Sequence, residues 1–433
     1  MRVLVVGGGG REHAIIRKLK ESPRATQLFA LPGNGGIAKD AFCIPGKATD
    51  IEGIVAAAKE YEADFVVVAP DDPLVLGAVD RLREEGIPAF GPTAAAAAIE
   101  GSKVFAKDLM KKYGIPTAEY RVFDTPEAAL EYLRGGVELP LVVKADGLAL
   151  GKGVLICGTL EEAEAAVHSM MEDRVFGQSG ARVVVEEFLT GPEVSVLCFT
   201  DGETIAPMVS SMDHKRALEG DQGPNTGGMG TVAPNPYYTE DVAKVCMEKI
   251  FRPTVEAMKA EGRTFRGCLY FGLMLTPRGP KVIEYNCRFG DPETQVVLPL
   301  LDGDLLDIME ATANGTLREV PVKNRPGCAC CVILASGGYP GGYETGREIS
   351  GLNEEGQLPS GRAAVYHAGT RPGGEDGGAF LTSGGRVLGV TAVGESLIEA
   401  VATAYAAADA ITFDGCCLRR DIGRRALAAL ESI

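Results

Sequence analysis

The sequence has few histidines, no long apolar run and no excess of positive charge. With only four histidines in 433 residues (His13, His168, His214 and His367), a metal centre built from histidine is not expected. No apolar stretch approaches the roughly 20 residues that a membrane-spanning helix needs. The apolar stretch VLVV that follows the first two residues is too short for the core of a signal peptide and is typical of a β-strand.

The net charge is −16, from 43 basic and 59 acidic side chains. A chain this acidic is a poor general binder of nucleic acids or anionic membranes, so any phosphate it holds must lie in a local basic pocket. The 11 cysteines show neither a disulfide-like spacing nor two separated Cys-x-x-Cys halves. They indicate reduced thiols, and we expect a cytoplasmic enzyme with no nucleic-acid or membrane partner.

The order of the predicted elements indicates a multidomain protein of α/β and α+β type. Residues 1–101 alternate strands and helices, which predicts an N-terminal parallel α/β domain. A small lid domain, 123–189, interrupts a central domain formed by 102–122 and 190–325. Residues 326–433 predict a strand-rich C-terminal domain.

Helices are predicted at several points along the chain. Three of them, in the N-terminal and central domains, cover residues 73–85, 103–113 and 239–261.

The segment VLVVGGGGREH joins the first predicted strand to the first helix. Backbone N–H groups converge at such a helix start, and glycine lets the backbone approach a phosphate closely. A dinucleotide fold is not expected, because the pattern G-x-G-x-x-G fails at Glu12 or His13 and the second strand ends without an acid. The segment predicts a site for a phosphate-bearing small molecule with Arg11 beside it, and a plain glycine turn is the alternative.

The segment LVVKADGLALGKGV places one lysine in an apolar strand and another in a glycine-rich loop. Lys144 would be costly to bury without a partner, and the loop lacks the spacing of a Walker A motif. Gly151 and Gly153 allow the loop to fold over a polyphosphate, while Lys144 and Lys152 supply positive charge. We interpret the segment as a nucleotide lid, with a glycine-rich hairpin and solvated lysines as the alternative.

The segment VVVEEFLTGPEVSV begins with a predicted strand, Val183–Glu187, whose apolar run ends in two acids and is followed by an apolar pair. The backbone near Phe188 and Leu189 could hydrogen-bond an adenine, and Glu193 could accept from ribose hydroxyls. Acids at strand ends are usually only solvated, so this segment alone is a weak signal.

The segment KVIEYNCRFGDPETQ places Glu284 and Asn286 two residues apart on a predicted strand, and therefore on one face. Two oxygen ligands, completed by waters and phosphates, are how Mg²⁺ is commonly held. Arg288 would follow on that face if the strand continued, and its guanidinium suits a phosphate or carboxylate. A half-solvated strand is the alternative.

The segment SMDHKRALEGDQGPNTGGMG, residues 211–230, is dense in polar and small residues. It carries Asp213, Lys215, Asn225 and a glycine-rich turn. Such a composition favours a substrate loop, although it also fits a plain surface loop.

Together these segments resemble the ATP-grasp superfamily and, within it, the glycinamide ribonucleotide synthetase (phosphoribosylamine–glycine ligase) family. The resemblance runs in order from residue 7 to beyond residue 390, through GGGGREH, PGNGG, EGSK, KADGLALGKGV, DHKR, GPNTGGMG, EYNCRFGDPETQ, ASGGYPG, VYHAGT and GGRVLGVTA. It implies the joining of glycine to 5-phosphoribosylamine in purine synthesis, with ATP converted to ADP and phosphate through glycyl phosphate. It also implies Mg²⁺ or Mn²⁺ and a monomer or small homo-oligomer.

The resemblance assigns roles to individual residues. ATP would be bound by Lys103, Lys144, Gly151, Lys152, Gly153, Glu186, Glu187, Phe188, Leu189 and Glu193. The metal would be held by Glu284 and Asn286. The substrates would contact Gly9, Gly10, Arg11, Asn225, Thr226, Gly228, Met229 and Asp291. Asp213, Lys215 and Arg288 would handle glycine and its acyl phosphate as catalytic residues.

Two positions depart from the family pattern. Many ATP-grasp enzymes carry an acid on the strand before the metal strand, but here that strand has Leu273 and Met274, so metal binding depends on Glu284, Asn286 and the nucleotide. The family usually shows GPE after the FVVV strand, where this chain reads APDDPL with Asp71 at the expected sugar-phosphate site.

Three other functions can be compared with this interpretation. Another carboxylate ligase would share residues 100–300 but lack PGNGG, GPNTGGMG and the C-terminal stretches. A nicotinamide-dependent oxidoreductase is disfavoured by the failed glycine pattern. A nucleotide sensor without activity would be expected to lack Lys144, Glu284 or Asn286, and all three are present.

Overall fold

The first hundred residues form a parallel sheet in a computed structural model that describes residues 1–149, 153–374 and 378–431. Its strands lie in the order Phe42–Cys43, Gln27–Pro32, Arg2–Gly7, Phe65–Val68 and Ala89–Phe90. Its helices are Gly10–Leu19, Ile37–Asp40, Ile51–Glu60, Asp71–Val75, Ala78–Glu84 and Ala94–Gly101. The two central strands end at Gly7 and Val68, at the sheet edge where open parallel sheets bind ligands.

The helix predicted at 73–85 is wrong as a single element. The structure has Asp71–Val75 and Ala78–Glu84, separated at Gly77, whose φ of 89° lies in the left-handed region. Only glycine adopts that conformation at little cost, so the chain turns there instead of continuing the helix.

The central part of the chain is a four-stranded antiparallel sheet that carries the predicted metal strand. Its order is Ile205–Pro207, Glu193–Thr200, Gly267–Thr276 and Gly279–Asn286. A register shift pairs Gly272 with Glu284 but Leu273 with Val282, which leaves Ile283 as an extra residue in a bulge. The carbonyl of Ile283 accepts a hydrogen bond from Lys144 Nζ at 3.1 Å, so the bulge ties the metal strand to the lysine strand.

The predicted helix 239–261 is present with a local irregularity. It runs as Glu240–Cys246, a π-helical turn at Met247–Phe251, and Arg252–Ala260. The wide turn ends two residues before Pro253, which has no backbone N–H to continue the regular hydrogen-bond ladder. The helix predicted at Lys103–Tyr113 has those bounds in the structure.

The predicted lid is a separate antiparallel sheet with its own core. Its strands are Tyr120–Phe123, Val183–Glu187, Leu141–Ala145 and Val154–Cys157, and its helices are Pro126–Arg134 and Leu160–Val167. Leu133, Val143 and Met170 belong to an apolar cluster confined to this unit. The lid therefore packs around an apolar core of its own.

The C-terminal part adds two sheets and draws in strands from the central part. The larger sheet contains Met212–Asp213, Gly230–Ala233, Cys328–Ser336, Arg386–Gly394 and Ala364–His367, with Cys416–Cys417 paired to Cys328–Ser336. The smaller contains Glu348–Ile349, Ala379–Thr382 and Thr370–Gly373. Two ribbons pair Arg216–Leu218 with Gln222–Asn225 and Leu301–Asp302 with Lys323–Asn324. The remaining helices are Thr294–Val297, Leu305–Asn314, Leu397–Ala408 and Arg424–Glu431.

The loop that follows Met212–Asp213 returns to the same sheet through Gly230–Ala233, so the predicted substrate loop lies where the central and C-terminal parts meet. All 11 cysteines are free thiols. In the part of the chain that the structure describes, no helix combines the length and apolar character needed to cross a bilayer.

Candidate active site

A single large cleft collects most of the residues singled out from the sequence. Its volume is about 770 Å³. Among the predicted site residues it is lined by Arg11, Lys103, Lys144, Gly153, Glu186, Glu187, Phe188, Leu189, Glu193, Asp213, Lys215, Asn225, Thr226, Glu284, Asn286, Arg288 and Asp291. Gly151 and Lys152 lie outside the described residues.

One end of the cleft is an apolar slot. Its walls there come from the lid, from the segment Glu187–Leu189 (the hinge) and from the two long central strands. The residues are Val142, Ile156, Leu189, Met274 and Ile283. A flat heterocycle would lose water contact between these side chains, which is the usual setting of a nucleobase.

Lys144 and Glu186 lie next to this apolar end and belong to a buried ion network. Glu186 Oε2 lies 3.0 Å from the ammonium of Lys144 and 3.0 Å from that of Lys107. Within the described residues, Glu186 Oε1 is buried and has no hydrogen-bond partner. An unpaired buried carboxylate oxygen is costly, so this position is suited to accept a hydrogen bond from a bound ligand.

Lys103 adds a second ammonium beside Lys144. Its Nζ donates to the carbonyl of Gly147 at 2.9 Å. Burial, and then the charge of Lys144, lower the pKa of Lys103. A polyphosphate bound beside these two ammonium groups would relieve the repulsion that Lys103 experiences from Lys144.

Glu284 and Asn286 lie on the same wall of the cleft, as their spacing predicts. Glu284 Oε1 lies 3.0 Å from Lys215 Nζ, and Lys215 also faces Glu193 at 3.7 Å. Burial alone would raise the pKa of Glu284, but Lys215, followed by Lys144 and Lys103, lowers it to about 2. The carboxylate is therefore ionised at neutral pH, and with the amide oxygen of Asn286 it offers the hard oxygen donors that suit Mg²⁺ or Mn²⁺.

Arg288 reaches Asn286 although the strand ends before it. The strand Gly279–Asn286 stops before Arg288, so the condition for placing Arg288 on the same strand face is not met. The guanidinium nevertheless donates to Asn286 Oδ1 at 3.2 Å and pairs with Glu100 at 2.9 Å. Burial would raise the pKa of Asp71, but Arg288 and Arg11 lower it, so the residue that departs from the family pattern also faces these cations.

Two acids, Asp213 and Glu293, lie at the other end of the cleft. Asp213 Oδ1 accepts from the backbone N–H of His214 at 2.7 Å, and Glu293 Oε1 accepts from the hydroxyl of Ser195 at 3.4 Å. Burial, and then the charge of Glu293, raise the pKa of Asp213 well above its usual value. Such a pair can hold an ammonium group or accept a proton.

The glycine loop differs from the expected phosphate cradle in one respect. The N–H of Gly9 is already used: it donates to Glu12 Oε2 at 2.6 Å, while Glu12 Oε1 pairs with Arg11 Nε at 2.5 Å. A buried carboxylate thus occupies the position predicted for a phosphate at Gly9. Of the three residues predicted there, Arg11 lines the cleft, whereas Gly9 and Gly10 are not part of its wall.

The turn that carries Asn225 and Thr226 faces the cleft, but Met229 does not. The side chain of Met229 is buried, and its backbone N–H donates to the carbonyl of His214 at 2.8 Å. Gly228 has a φ of 114°, and a Cβ there would lie 2.7 Å from Asp213 Oδ1. Gly228 is therefore needed for close packing beside Asp213 and not as part of the wall.

Several cleft residues were not identified from the sequence. They are Glu100, Lys107, Glu293, Tyr339 and Arg386. Glu100 and Glu293 lie within the family stretches EGSK and GDPETQ, so the motifs contained a signal for them. Tyr339 and Arg386 likewise lie within the family stretches ASGGYPG and GGRVLGVTA, whereas Lys107 occupies an ordinary helix position that no motif marks.

The chain is similar to known proteins along nearly its whole length. The family models described as "Phosphoribosylglycinamide synthetase" match it in three segments: the N domain at residues 1–100, the ATP-grasp (A) domain at 101–294 and the C domain at 329–425. A curated relative from Allochromatium vinosum, named phosphoribosylamine–glycine ligase, is 49% identical over 439 residues and covers 100% of both chains. One of the same name from Escherichia coli K12 is 47% identical over 430 residues and 99% of each.

Solved structures show the same relationship. The crystal structure of a phosphoribosylamine–glycine ligase from Thermotoga maritima matches 98% of this chain and 100% of its own, with a TM-score of 0.83 and 35% identity. The biotin carboxylase domain of the 2-oxoglutarate carboxylase of Hydrogenobacter thermophilus, crystallised with MgADP, matches 96% of this chain and 91% of its own, with a TM-score of 0.74. At 18% identity the latter shares the fold alone.

Proposed function

Because the chain belongs to the phosphoribosylglycinamide synthetase family, it is an ATP-dependent phosphoribosylamine–glycine ligase of purine biosynthesis, and we propose how its cleft performs that reaction. The reaction joins the carboxylate of glycine to the amine of 5-phosphoribosylamine, while ATP becomes ADP and phosphate. The single observation that carries the assignment of roles is the cleft, where an apolar slot, a lysine pair and an acidic metal strand follow one another.

ATP lies with its adenine in the apolar slot and its phosphates toward Lys103 and Lys144. The backbone of the hinge Glu187–Leu189 reads the edge of the base, and Glu186 Oε1, which is buried without a partner among the described residues, accepts from the exocyclic amine. Glu193 accepts from the ribose. The lid, including Gly153, covers the phosphates.

A divalent ion, Mg²⁺ or Mn²⁺, would be held by Glu284 and Asn286 and would offset the charge of the transferred phosphoryl group. The low pKa of Glu284 keeps its carboxylate available at neutral pH. Lys215, 3.0 Å from Glu284, places a further positive charge beside the transfer.

Glycine is activated because its carboxylate is a poor electrophile at neutral pH. An oxygen of that carboxylate attacks the γ-phosphorus of ATP, the bond to ADP breaks, and glycyl phosphate forms. Arg288 and Lys215 stabilise the negative charge. No side-chain nucleophile is needed, since catalysis consists of positioning and charge stabilisation.

The amine of phosphoribosylamine then attacks the acyl carbon, phosphate leaves, and the nitrogen loses a proton. Asp213, with its raised pKa, is suited to accept that proton. Arg11 binds the sugar phosphate, while Asn225, Thr226 and Asp291 line the space beside it. The closed lid excludes water, which would otherwise hydrolyse glycyl phosphate.

The decisive experiment measures ADP release from ATP with a series of carboxylates, each with and without phosphoribosylamine. We expect release that depends strictly on glycine and on the aminosugar. Equal release with another carboxylate would favour a different ligase with the same nucleotide site.

We also expect the chain to work in the cytoplasm as a monomer or a small homo-oligomer, which cell fractionation and light scattering would check. We likewise propose four domains, formed by residues 1–101, by 102–122 with 190–325, by 123–189 and by 326–433. The separate apolar core of the lid supports the third of these units.

A further inference from the structure

The C-terminal part of the chain reaches the substrate end of the cleft through two side chains. Tyr339 lies in the loop after the strand Cys328–Ser336, and Arg386 begins the strand Arg386–Gly394. Both line the cleft. The reaction scheme above gives neither of them a role.

Tyr339 and Arg386 hold the same residue of the substrate turn, Gly227. The N–H of Gly227 donates to the Tyr339 hydroxyl at 3.0 Å, and its carbonyl accepts from Arg386 Nη1 at 2.7 Å. A Cβ at Gly227 would lie 2.8 Å from Arg386 Cζ. Both backbone groups of Gly227 are therefore engaged from the C-terminal part, and the guanidinium packs directly against a residue that has no side chain.

Arg386 also joins this turn to the segment beside the glycine loop. The same Nη1 donates to the carbonyl of Asp291 at 2.7 Å, and Nη2 lies 3.4 Å from Asp291 Oδ2. Asp291 Oδ2 in turn lies 3.4 Å from the backbone N–H of Arg11. One guanidinium thus links Gly227, which adjoins the cleft residues Asn225 and Thr226, to the segment that adjoins Arg11.

The nucleotide end is held by a different set of contacts. There Lys103 donates to the carbonyl of Gly147, and Lys144 donates to the carbonyl of Ile283. Glu186 pairs with the ammonium of Lys107. Among the described residues, neither Tyr339 nor Arg386 hydrogen-bonds to any of these. A change at Tyr339 or Arg386 should therefore act on one end of the cleft.

We propose that Tyr339 and Arg386 are positioning residues that set the geometry of the phosphoribosylamine subsite by clamping Gly227 and Asp291. The inference rests on the proposed function, since it names the residues that shape one of its substrate sites. They act through the turn and through Arg11, and not by touching the reacting atoms.

The test compares Tyr339→Phe and Arg386→Lys with the wild-type enzyme in initial-rate assays in which ATP, glycine and phosphoribosylamine are varied in turn. Loss of one neutral hydrogen bond should raise the KM for phosphoribosylamine roughly fivefold in Tyr339→Phe. Loss of the charged, branched donor should raise it about tenfold to a hundredfold in Arg386→Lys. The KM for ATP should stay within about twofold of wild type in both.

Tyr343→Phe is the matched control. Tyr343 lies in the same loop, its ring contacts that of Tyr339 at 6.3 Å between centroids, and it is 42% exposed. Removing its hydroxyl should leave all three KM values unchanged. Tyr339→Phe keeps the ring and only removes the hydroxyl, so it decides the question even if Arg386→Lys folds poorly.

A KM for ATP that rises in parallel with that for phosphoribosylamine would overturn the inference, because the clamp would then act on the whole cleft. A fall in kcat with every KM unchanged would also overturn it. If the wild-type enzyme itself released ADP without glycine, the proposed function would have failed. The inference alone fails, and the proposed function stands, under two conditions. The wild type must release ADP only with glycine, and the variants must not raise the KM for phosphoribosylamine more than the KM for ATP.

Discussion

Replacing Lys144 by methionine separates the role of its charge from the role of its packing. Methionine keeps most of the unbranched side chain in the apolar strand Leu141–Ala145 but removes the ammonium. The change leaves the carbonyl of Ile283 without its 3.1 Å donor and leaves Glu186 with one ammonium partner, Lys107, at 3.0 Å.

The expected cost in stability is moderate and the expected cost in activity is large. Removing one partner of a buried ion pair costs about 3–5 kcal/mol, and we expect about 3 kcal/mol here because Lys107 still neutralises Glu186. A domain stable by about 5–15 kcal/mol remains folded after such a loss. A missing charge at a transferred phosphoryl group should lower kcat by roughly 10²–10³-fold, as for a lost transition-state donor.

Lys107→Met is the control for this experiment. It removes the other ammonium from Glu186, at the same 3.0 Å, and should cost a similar free energy of unfolding. Urea unfolding and ADP release would be measured on both variants. The reasoning would be refuted if Lys107→Met lost as much ligation as Lys144→Met, because the loss would then arise from the Glu186 network and not from a missing contact with phosphate.

Three further results are expected. Glu284→Ala should abolish ligation and leave the circular dichroism spectrum unchanged, and wild-type turnover would contradict the metal site. The lowered pKa of Glu284 stabilises the fold above the ordinary value of 4.5, and this contribution disappears as the pH falls toward about 2. The difference in unfolding free energy between wild type and Glu284→Gln should therefore be constant above about pH 5 and shrink below 4.5, and a difference still constant at pH 3 would be inconsistent with the ion pairing. Chelation of divalent ions should stop ADP release until Mg²⁺ or Mn²⁺ is added, with no change in Tm, because the described residues hold no cluster of three or more acids, cysteines or histidines around a structural metal.

Local patterns predicted those elements whose ends are marked in the sequence. The helix Lys103–Tyr113 begins after Ser102, whose hydroxyl accepts from the N–H of Phe105, and ends at Gly114 with a φ of 67°. The strand Val183–Glu187 was likewise predicted with its observed bounds, since its apolar run stops at two acids. The prediction of a single helix at 73–85 was wrong because it took no account of the turn at Gly77.

The sequence by itself determined which residue types the site would contain and on which strand or loop each would lie. The alternation of Glu284 and Asn286, the lysine within an apolar strand and the glycines beside a helix start are all local features, and local sterics and periodicity decide them. Only the tertiary structure decided that Glu186 pairs with Lys107 and Lys144, that Glu12 takes the N–H of Gly9, and that Arg386 clamps Gly227. Arg386 and Gly227 are 159 residues apart, and such partners are chosen by how the apolar cores of separate sheets pack and by the need to satisfy each buried charge.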